Sequence, residues 1–416
     1  MSSGDRTHDL VLYGATGFVG RLTAAYLAGA APEGARIALG GRSRERREAV
    51  RATLPAAARD WPLVVVDSTD DEAVGAMAAS TTAVATTVGP YAKFGLPLVQ
   101  ACARTGTHYA DLTGEVLFVR DSIDTAHDAA VASGARIVHA CGFDSIPSDL
   151  SVLLAAEQAA ADGEGELTET LLCLVSSRGG VSGGTIDSLR TQVDVVKADA
   201  VKRRLTADPY TLSPDRAAEP DHGKESDLFL TRREPLLGGR WVAPFVMAPF
   251  NTRIVRRSNA VAGYRYGHGF RYSEVMGVGG SPAAPLLASA VALGAGGVAA
   301  GLAVAPTRWL LDKVLPAPGE GPSQATRDSG HFHVETTTVT TTGARYRSTV
   351  RAQGDPGYAA TAVMLGESAL ALALDPLPEA AGVLTPATGI GARLADRLRD
   401  AGFTLTVERL PVERLA

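Results

Sequence analysis

Apolar residues fall along this chain in two rhythms. Over the first 150 residues, short continuous apolar runs alternate with longer segments of helical spacing. The runs at 9–13, 36–39, 63–66, 83–88, 108–111 and 136–141 read as strands. Segments 17–28, 70–79 and 96–105 read as helices, and a charged segment, 43–53, follows the second strand. Strands apolar on both faces and separated by helices predict a parallel sheet covered on both sides. Residues 1–150 are therefore expected to form a doubly wound α/β domain of the Rossmann type.

After about residue 167 the rhythm changes. A strand is predicted at 171–176, then a glycine-rich turn, a polar helix over 186–204 and a long loop over 206–240. Segments 331–341 and 346–352 alternate, are rich in Thr and Val, and flank Thr342-Gly343, the pattern of two antiparallel strands. Residues 151–355 thus read as a second, mixed α/β domain for substrate binding or dimerisation. Helices over 358–374 and 389–401, the latter stopped by Gly402, make up a C-terminal segment, 356–416.

Composition narrows the function. A chain of 416 residues, 45% hydrophobic and 20% charged, fits two or three folded domains and excludes disorder over most of its length. A net charge of -5 offers no basic field for nucleic acid. Three scattered cysteines, Cys102, Cys141 and Cys173, predict neither a disulfide framework nor a metal site, and suit a reducing, cytoplasmic setting. The first apolar run is too short for a secretion signal.

One stretch stands apart, because no charged residue occurs from Val275 to Thr307. Its centre, 283–305, holds ten Ala and four Gly against four Leu and three Val, followed by Arg308, Trp309 and Lys313. Three readings are open: peripheral contact with the inner face of the plasma membrane, a helical pair packed on the body or in a homodimer, and a true span.

The sharpest motif is Gly14-Ala15-Thr16-Gly17-Phe18-Val19-Gly20, between the first strand and the first helix. That is where a dinucleotide fingerprint must lie. Gly14 permits the tight turn, Gly17 lets backbone approach a pyrophosphate, and Gly20 lets helix pack on strand. The helix N-terminus then presents free N–H groups to the phosphates. The second strand runs into Gly40-Gly41-Arg42-Ser43-Arg44, with no acid until Glu45. An NAD site carries an acid there for the ribose 2′-hydroxyl, whereas Arg42 suits a 2′-phosphate. NADP(H) is favoured over NAD on this ground, the alternative being that Arg42 and Arg44 are solvated charges at a helix start. Asp67, after the third strand, is a candidate adenine contact or a helix cap.

With these motifs the sequence resembles the saccharopine-dehydrogenase-like oxidoreductases, and within them the trans-acting enoyl reductase branch. The resemblance rests on Gly14 to Arg21, Gly40-Gly41-Arg42-Ser43, Val88-Gly89-Pro90-Tyr91, Gly106 to Glu115, Cys141 to Asp149, Ser182-Gly183-Gly184-Thr185 and Gly382 to Ala387. It implies a Rossmann domain onto which the C-terminal segment packs back, with a central mixed α/β domain. It also implies NADPH-dependent reduction of a double bond on a lipid or polyketide intermediate, free or carrier-bound, a reaction that serves glycolipid biosynthesis in bacteria.

Ligands of a doubly wound sheet bind beyond the carboxyl ends of its strands. Val88, Gly89 and Pro90 are expected to lie against the ribose and nicotinamide. Tyr91, Lys93 and Asp144 are the candidate catalytic residues, Tyr91 and Lys93 as proton donors and Asp144 as either a helix cap or a substrate-orienting group. Tyr91 has an alternative role as a packed aromatic, and Lys93 as a surface lysine. Cys141 continues an apolar strand with no activating partner and is not expected to act as a nucleophile. Two further readings compete with an enoyl reductase: a saccharopine-type imine or amino-acid dehydrogenase, and a cofactor-binding scaffold at a membrane without turnover.

Overall fold

In the computed structural model, residues 6–179, 183–221, 231–303 and 321–411 are described. The first sheet opens with β1 (His8–Tyr13), β2 (Ile37–Gly41), β3 (Leu63–Val65), β4 (Thr81–Thr86), β5 (His108–Ala110) and β6 (Arg136–Val138). All pair in parallel, with β1 central between β2 and β4. Leu10, Val11 and Leu12 are each no more than 1% exposed, so β1 is covered on both faces, as its unbroken apolar run requires. Each such side chain contributes about 1.5–3 kcal/mol by leaving water.

The second sheet contains β7 (Leu167–Arg178), β8 (Arg232–Glu234), β9 (Arg240–Pro244), β10 (Arg271–Gly279), β11 (His331–Thr340) and β12 (Arg345–Gln353). It is mixed, since β7 and β10 run parallel while β11 pairs antiparallel with both β7 and β12. The strand expected at 171–176 is twelve residues long. The expected polar helix is two, Gly183–Ala198 and Ala200–Ala207, because Asp199 breaks the run and caps the second through the amides of Val201 and Lys202.

The C-terminal segment returns to both sheets. Helix Thr361–Leu374 packs on helix Phe18–Ala30 and on β1, β4 and β5. Strand β13 (Gly382–Leu384) then extends the first sheet beside β6, in parallel. Asp149, in the helix Ile146–Ala161, fixes that return by accepting from the Ala387 amide at 2.7 Å. Strand β14 (Thr404–Leu410) closes the far edge of the second sheet against β12. One hydrophobic cluster runs from Leu10 and Leu12 through Leu365 and Leu370 to Phe332 and Val350, so the two sheets share a core.

The segment expected as a loop at 206–240 is tied down where it begins. Arg253, Arg256 and Arg257, in the helix Ala248–Val261, donate to the carbonyls of Thr206, Asp208, Pro209 and Leu212. Arg257 also reaches the Val383 carbonyl, and burial lowers its pKa to about 9. Three arginines on one helix would read as a wet face, yet here they are buried by serving backbone acceptors.

The uncharged stretch divides. Val275–Gly279 belongs to β10, and Ala284–Ala303 is a helix. Ala284 and Ala288 are buried, whereas Leu286 is 78% exposed and Leu293 77%. Residues 304–307 and the expected anchors Arg308, Trp309 and Lys313 lie outside the described residues, as does Ser182. Among the described helices, Pro356–Leu374 has the length and composition to cross a membrane, but it is largely buried as a core helix of the first sheet.

Candidate active site

The turn between β1 and helix Phe18–Ala30 has the form its glycines predict. Gly14 sits at φ +92°, in the left-handed region that suits glycine. A Cβ on Gly20 would stand 2.2 Å from the Gly14 carbonyl oxygen. Only backbone therefore fits on either side of this cradle, and Gly17 opens the helix with no side-chain cap to compete for its free N–H groups. Ala15 is buried beneath the turn, and the Thr16 carbonyl accepts from Arg21 at 2.7 Å. The loop after β4 is bolted to the turn, with the Thr87 amide donating to the Tyr13 carbonyl at 2.9 Å and its hydroxyl to that of Gly14 at 3.0 Å. Val88, Gly89 and Pro90 follow directly at that edge. The cradle fits a dinucleotide pyrophosphate; such a cofactor, when bound, supplies a hydride.

At the end of β2, Arg42 is exposed and makes no hydrogen bond or ion pair with any described residue. Ser43 caps helix Arg44–Thr53 by accepting from the Arg46 amide at 3.2 Å. Behind them lies Arg47, a residue the sequence pattern hides on a charged helix. It is 0% exposed, donates to the Gly41 carbonyl and leaves Nε and Nη2 without partners. Two cations that form no ion pair with a described carboxylate, although Asp67 and Glu48 act on them electrostatically, make a site for a dianion such as a 2′-phosphate. Asp67 does not cap the following helix. It closes a turn by accepting from the Thr69 amide and hydroxyl, bonds that lower its pKa, while Asp70 is the cap. Replacing Arg42 by Ala is expected to weaken NADPH binding about 10–100-fold, the worth of one or two charge-assisted hydrogen bonds, and to leave NADH binding unchanged. Fluorescence titration with both nucleotides checks this, and an equal loss for both would remove Arg42 from 2′-phosphate recognition.

The three catalytic candidates separate. Tyr91 is corrected, because its hydroxyl does not enter the cleft. It donates to the Thr86 carbonyl and accepts from the Leu112 amide, both at 3.1 Å, while the ring stacks on Phe118. Burial, with Asp111 nearby, pushes the phenol well above its ordinary pKa of 10.0, so it serves as a strut. Lys93 is exposed, in a cleft of about 200 Å³ lined also by Glu115, Gln192 and Lys202. Asp144 is half-buried at the ends of β5 and β6, with Oδ2 3.8 Å from the position of a Cβ on Gly114. Met247 faces the same point. No described residue donates a hydrogen bond to Asp144, and burial raises its pKa from 3.8 to about 6. Ser145, not Asp144, opens the helix Ile146–Ala161, and no side chain caps it.

Two groups within the matched motifs prove structural. Glu115, 1% exposed, accepts from the amides of Tyr91 at 3.0 Å and Ala92 at 2.8 Å. Ser188 donates to the same carboxylate at 2.6 Å, so Glu115 pins the helix Gly183–Ala198 over the loop after β4. An acid directly preceding the helix Val116–Ser133 was its signal. Asp111, His139 and Ser122 are linked at 2.7 and 2.8 Å in the order of a hydrolytic triad. All three are 0% exposed, beyond reach of any substrate, and Asp111 instead holds the Ala140 amide where that residue takes φ 63°. Cys141 is buried, and burial moves its thiol far above the ordinary value, as expected of an inert cysteine.

Comparison with known proteins completes the picture. Residues 10–138 match the saccharopine dehydrogenase NADP binding domain. Saccharopine dehydrogenase from Saccharomyces cerevisiae superposes over 97% of this chain and 99% of its own, with a TM-score of 0.55 at 13% identity, a likeness of fold. Homospermidine synthase from Legionella pneumophila, solved with NAD, covers 99% of this chain and 95% of its own with a TM-score of 0.52 at 9% identity. Fold and turn together define an NADP-dependent oxidoreductase with a saccharopine-dehydrogenase-like architecture. A Mycobacterium ulcerans protein named trans-acting enoyl reductase is 51% identical over 423 residues, 99% of this chain and all of its own. A Mycobacterium tuberculosis protein of the same name is 50% identical over the same length and coverage. The chain belongs to the trans-acting enoyl reductase family.

Proposed function

We propose that this protein uses NADPH to reduce the carbon–carbon double bond of an α,β-unsaturated acyl group on a lipid or polyketide intermediate, in glycolipid biosynthesis. The observation that carries this reading is Asp144, a carboxyl raised to about 6 by its surroundings at the sheet edge where substrate must enter. Phe143 and Met247, its neighbours, belong to an apolar cluster with Phe245 and Met276. Such walls suit an acyl chain better than the amino acid and dicarboxylate of a saccharopine-type reaction, which call for fixed cations.

In this mechanism the Gly14–Gly20 turn and Arg42 would hold NADPH, which would supply the hydride for the β-carbon and leave an enolate whose α-carbon takes a proton. Asp144 then gives its carboxyl proton to the α-carbon and is reprotonated from solvent. Glu115 and the Asp111–His139 pair hold the loops on which this geometry depends, and Tyr91 braces them from below. The exposed Leu286, Leu287 and Leu293, on a helix that packs beside β9 and the helix Gly183–Ala198, are read as the surface that meets a membrane. The test is NADPH consumption with long-chain enoyl thioesters against short ones and against 2-oxo acid and amine pairs, run alongside vesicle co-sedimentation. Long enoyl chains should be preferred, with the protein found in the lipid pellet. Turnover of the imine pairs alone would overturn the enoyl reading, and a protein left wholly in solution the membrane one.

A further inference from the structure

The second domain reaches the phosphate turn. Gly321 lies directly over Phe18, so that a Cβ on Gly321 would stand 2.4 Å from the ring. The helix Gln324–Asp328 follows and leads into β11 of the second sheet. From it, the Arg327 guanidinium sits 5.2 Å from the centre of the Phe18 ring, and Arg21 approaches the same ring at 5.8 Å. Tyr358 closes another side of the ring, edge-on at 4.8 Å. Phe18 is the first residue of the helix whose free N–H groups face the pyrophosphate. Arg327 donates to the Pro322 carbonyl at 2.6 Å, and no described carboxylate forms an ion pair with it. The carboxylate that acts on it electrostatically is that of Asp355, which is buried, has Oδ1 engaged by the Ala359 amide and leaves Oδ2 without a partner.

We infer that Arg327 is a cofactor-binding residue contributed by the second domain, contacting the pyrophosphate of NADP(H) across Phe18. A half-buried guanidinium parked on an aromatic face beside a phosphate cradle, in no ion pair with a described carboxylate although Asp355 acts on it electrostatically, is placed to meet a diphosphate as its partner. Because the residue belongs to the segment entering β11, the bound cofactor ties the second sheet to the first.

The test is fluorescence and calorimetric titration of Arg327→Ala and Arg327→Met with NADPH, NADH and 2′-AMP, which keeps the 2′-phosphate but lacks the pyrophosphate. The expected result is a loss of about tenfold or more for both dinucleotides in both variants, with 2′-AMP binding unchanged. Met keeps an unbranched side chain on Phe18, so a loss seen with Ala but not with Met would assign Arg327 to packing and overturn the inference. Unaltered dinucleotide binding would overturn it too, as would an equal loss for 2′-AMP, which would mark general damage to the domain. The Arg42→Ala variant gives the converse pattern, losing NADPH and 2′-AMP while keeping NADH.

Discussion

Gly20→Ala is expected to abolish useful NADPH binding, with affinity falling by about 100-fold. The added methyl would meet the Gly14 oxygen at 2.2 Å, the Gly14 carbonyl carbon at 2.9 Å and Ala15 Cα at 3.0 Å. All three are backbone, so no rotamer change relieves the contact. Helix Phe18–Ala30 must slide away from the turn, carrying off the N–H groups that face the phosphates. Overpacking of this kind costs about 1–3 kcal/mol, and 1.4 kcal/mol is tenfold in affinity. Gly29, in the same helix, meets nothing within 4 Å, so Gly29→Ala should bind NADPH normally and gain up to about 1 kcal/mol of stability. Titration of both variants checks the pair, and normal binding by Gly20→Ala would show that the turn does not hold the pyrophosphate.

Asp144→Asn is expected to lower kcat by about 100-fold or more, the usual worth of a general acid, with NADPH affinity unchanged. In the intact enzyme, reduction should fall as pH rises through about 6, because only the protonated carboxyl delivers a proton. The stability consequence has its own sign. The folded-state pKa is raised above 3.8, so the group's stabilising contribution is fully present below that value and is lost as pH rises through about 6. The Asn variant carries no charge to bury and should therefore melt higher than the parent at pH 8 and close to it at pH 4. An inactive variant that is more stable at pH 8 marks a residue kept for chemistry. Full activity in Asp144→Asn would return the proton to Lys93 or water.

The first sheet was legible because its strands are buried on both faces and announce themselves as unbroken apolar runs, as Leu10 to Leu12 do. The phosphate turn was legible because glycines at 14, 17 and 20 answer a steric demand that no other residue meets. Elsewhere the local pattern misled. Tyr91 stands in the right loop, but its hydroxyl pairs with the Thr86 carbonyl and the Leu112 amide, which spacing along the chain does not reveal. Arg47 and Arg257 are buried against carbonyl partners that the local pattern does not show. Strand β13 spans only three residues and takes its identity from the β6 edge it joins. The helix Ala284–Ala303 is uncharged yet carries Leu286 and Leu293 on its exposed side, a face that composition flagged and periodicity could not orient.

The central claim, hydride transfer from NADPH to an enoyl carbon with Asp144 completing the reduction, is tested most directly by isotope transfer. NADPH deuterated at C4 is incubated with the protein and a long-chain enoyl thioester in ordinary water, and the product is analysed by mass spectrometry and NMR. One deuterium at the β-carbon and a solvent-derived hydrogen at the α-carbon are predicted, with product formation suppressed in Asp144→Asn. A saturated product that carries no label at the β-carbon, or label found only in an amine formed from a 2-oxo acid, would contradict the account.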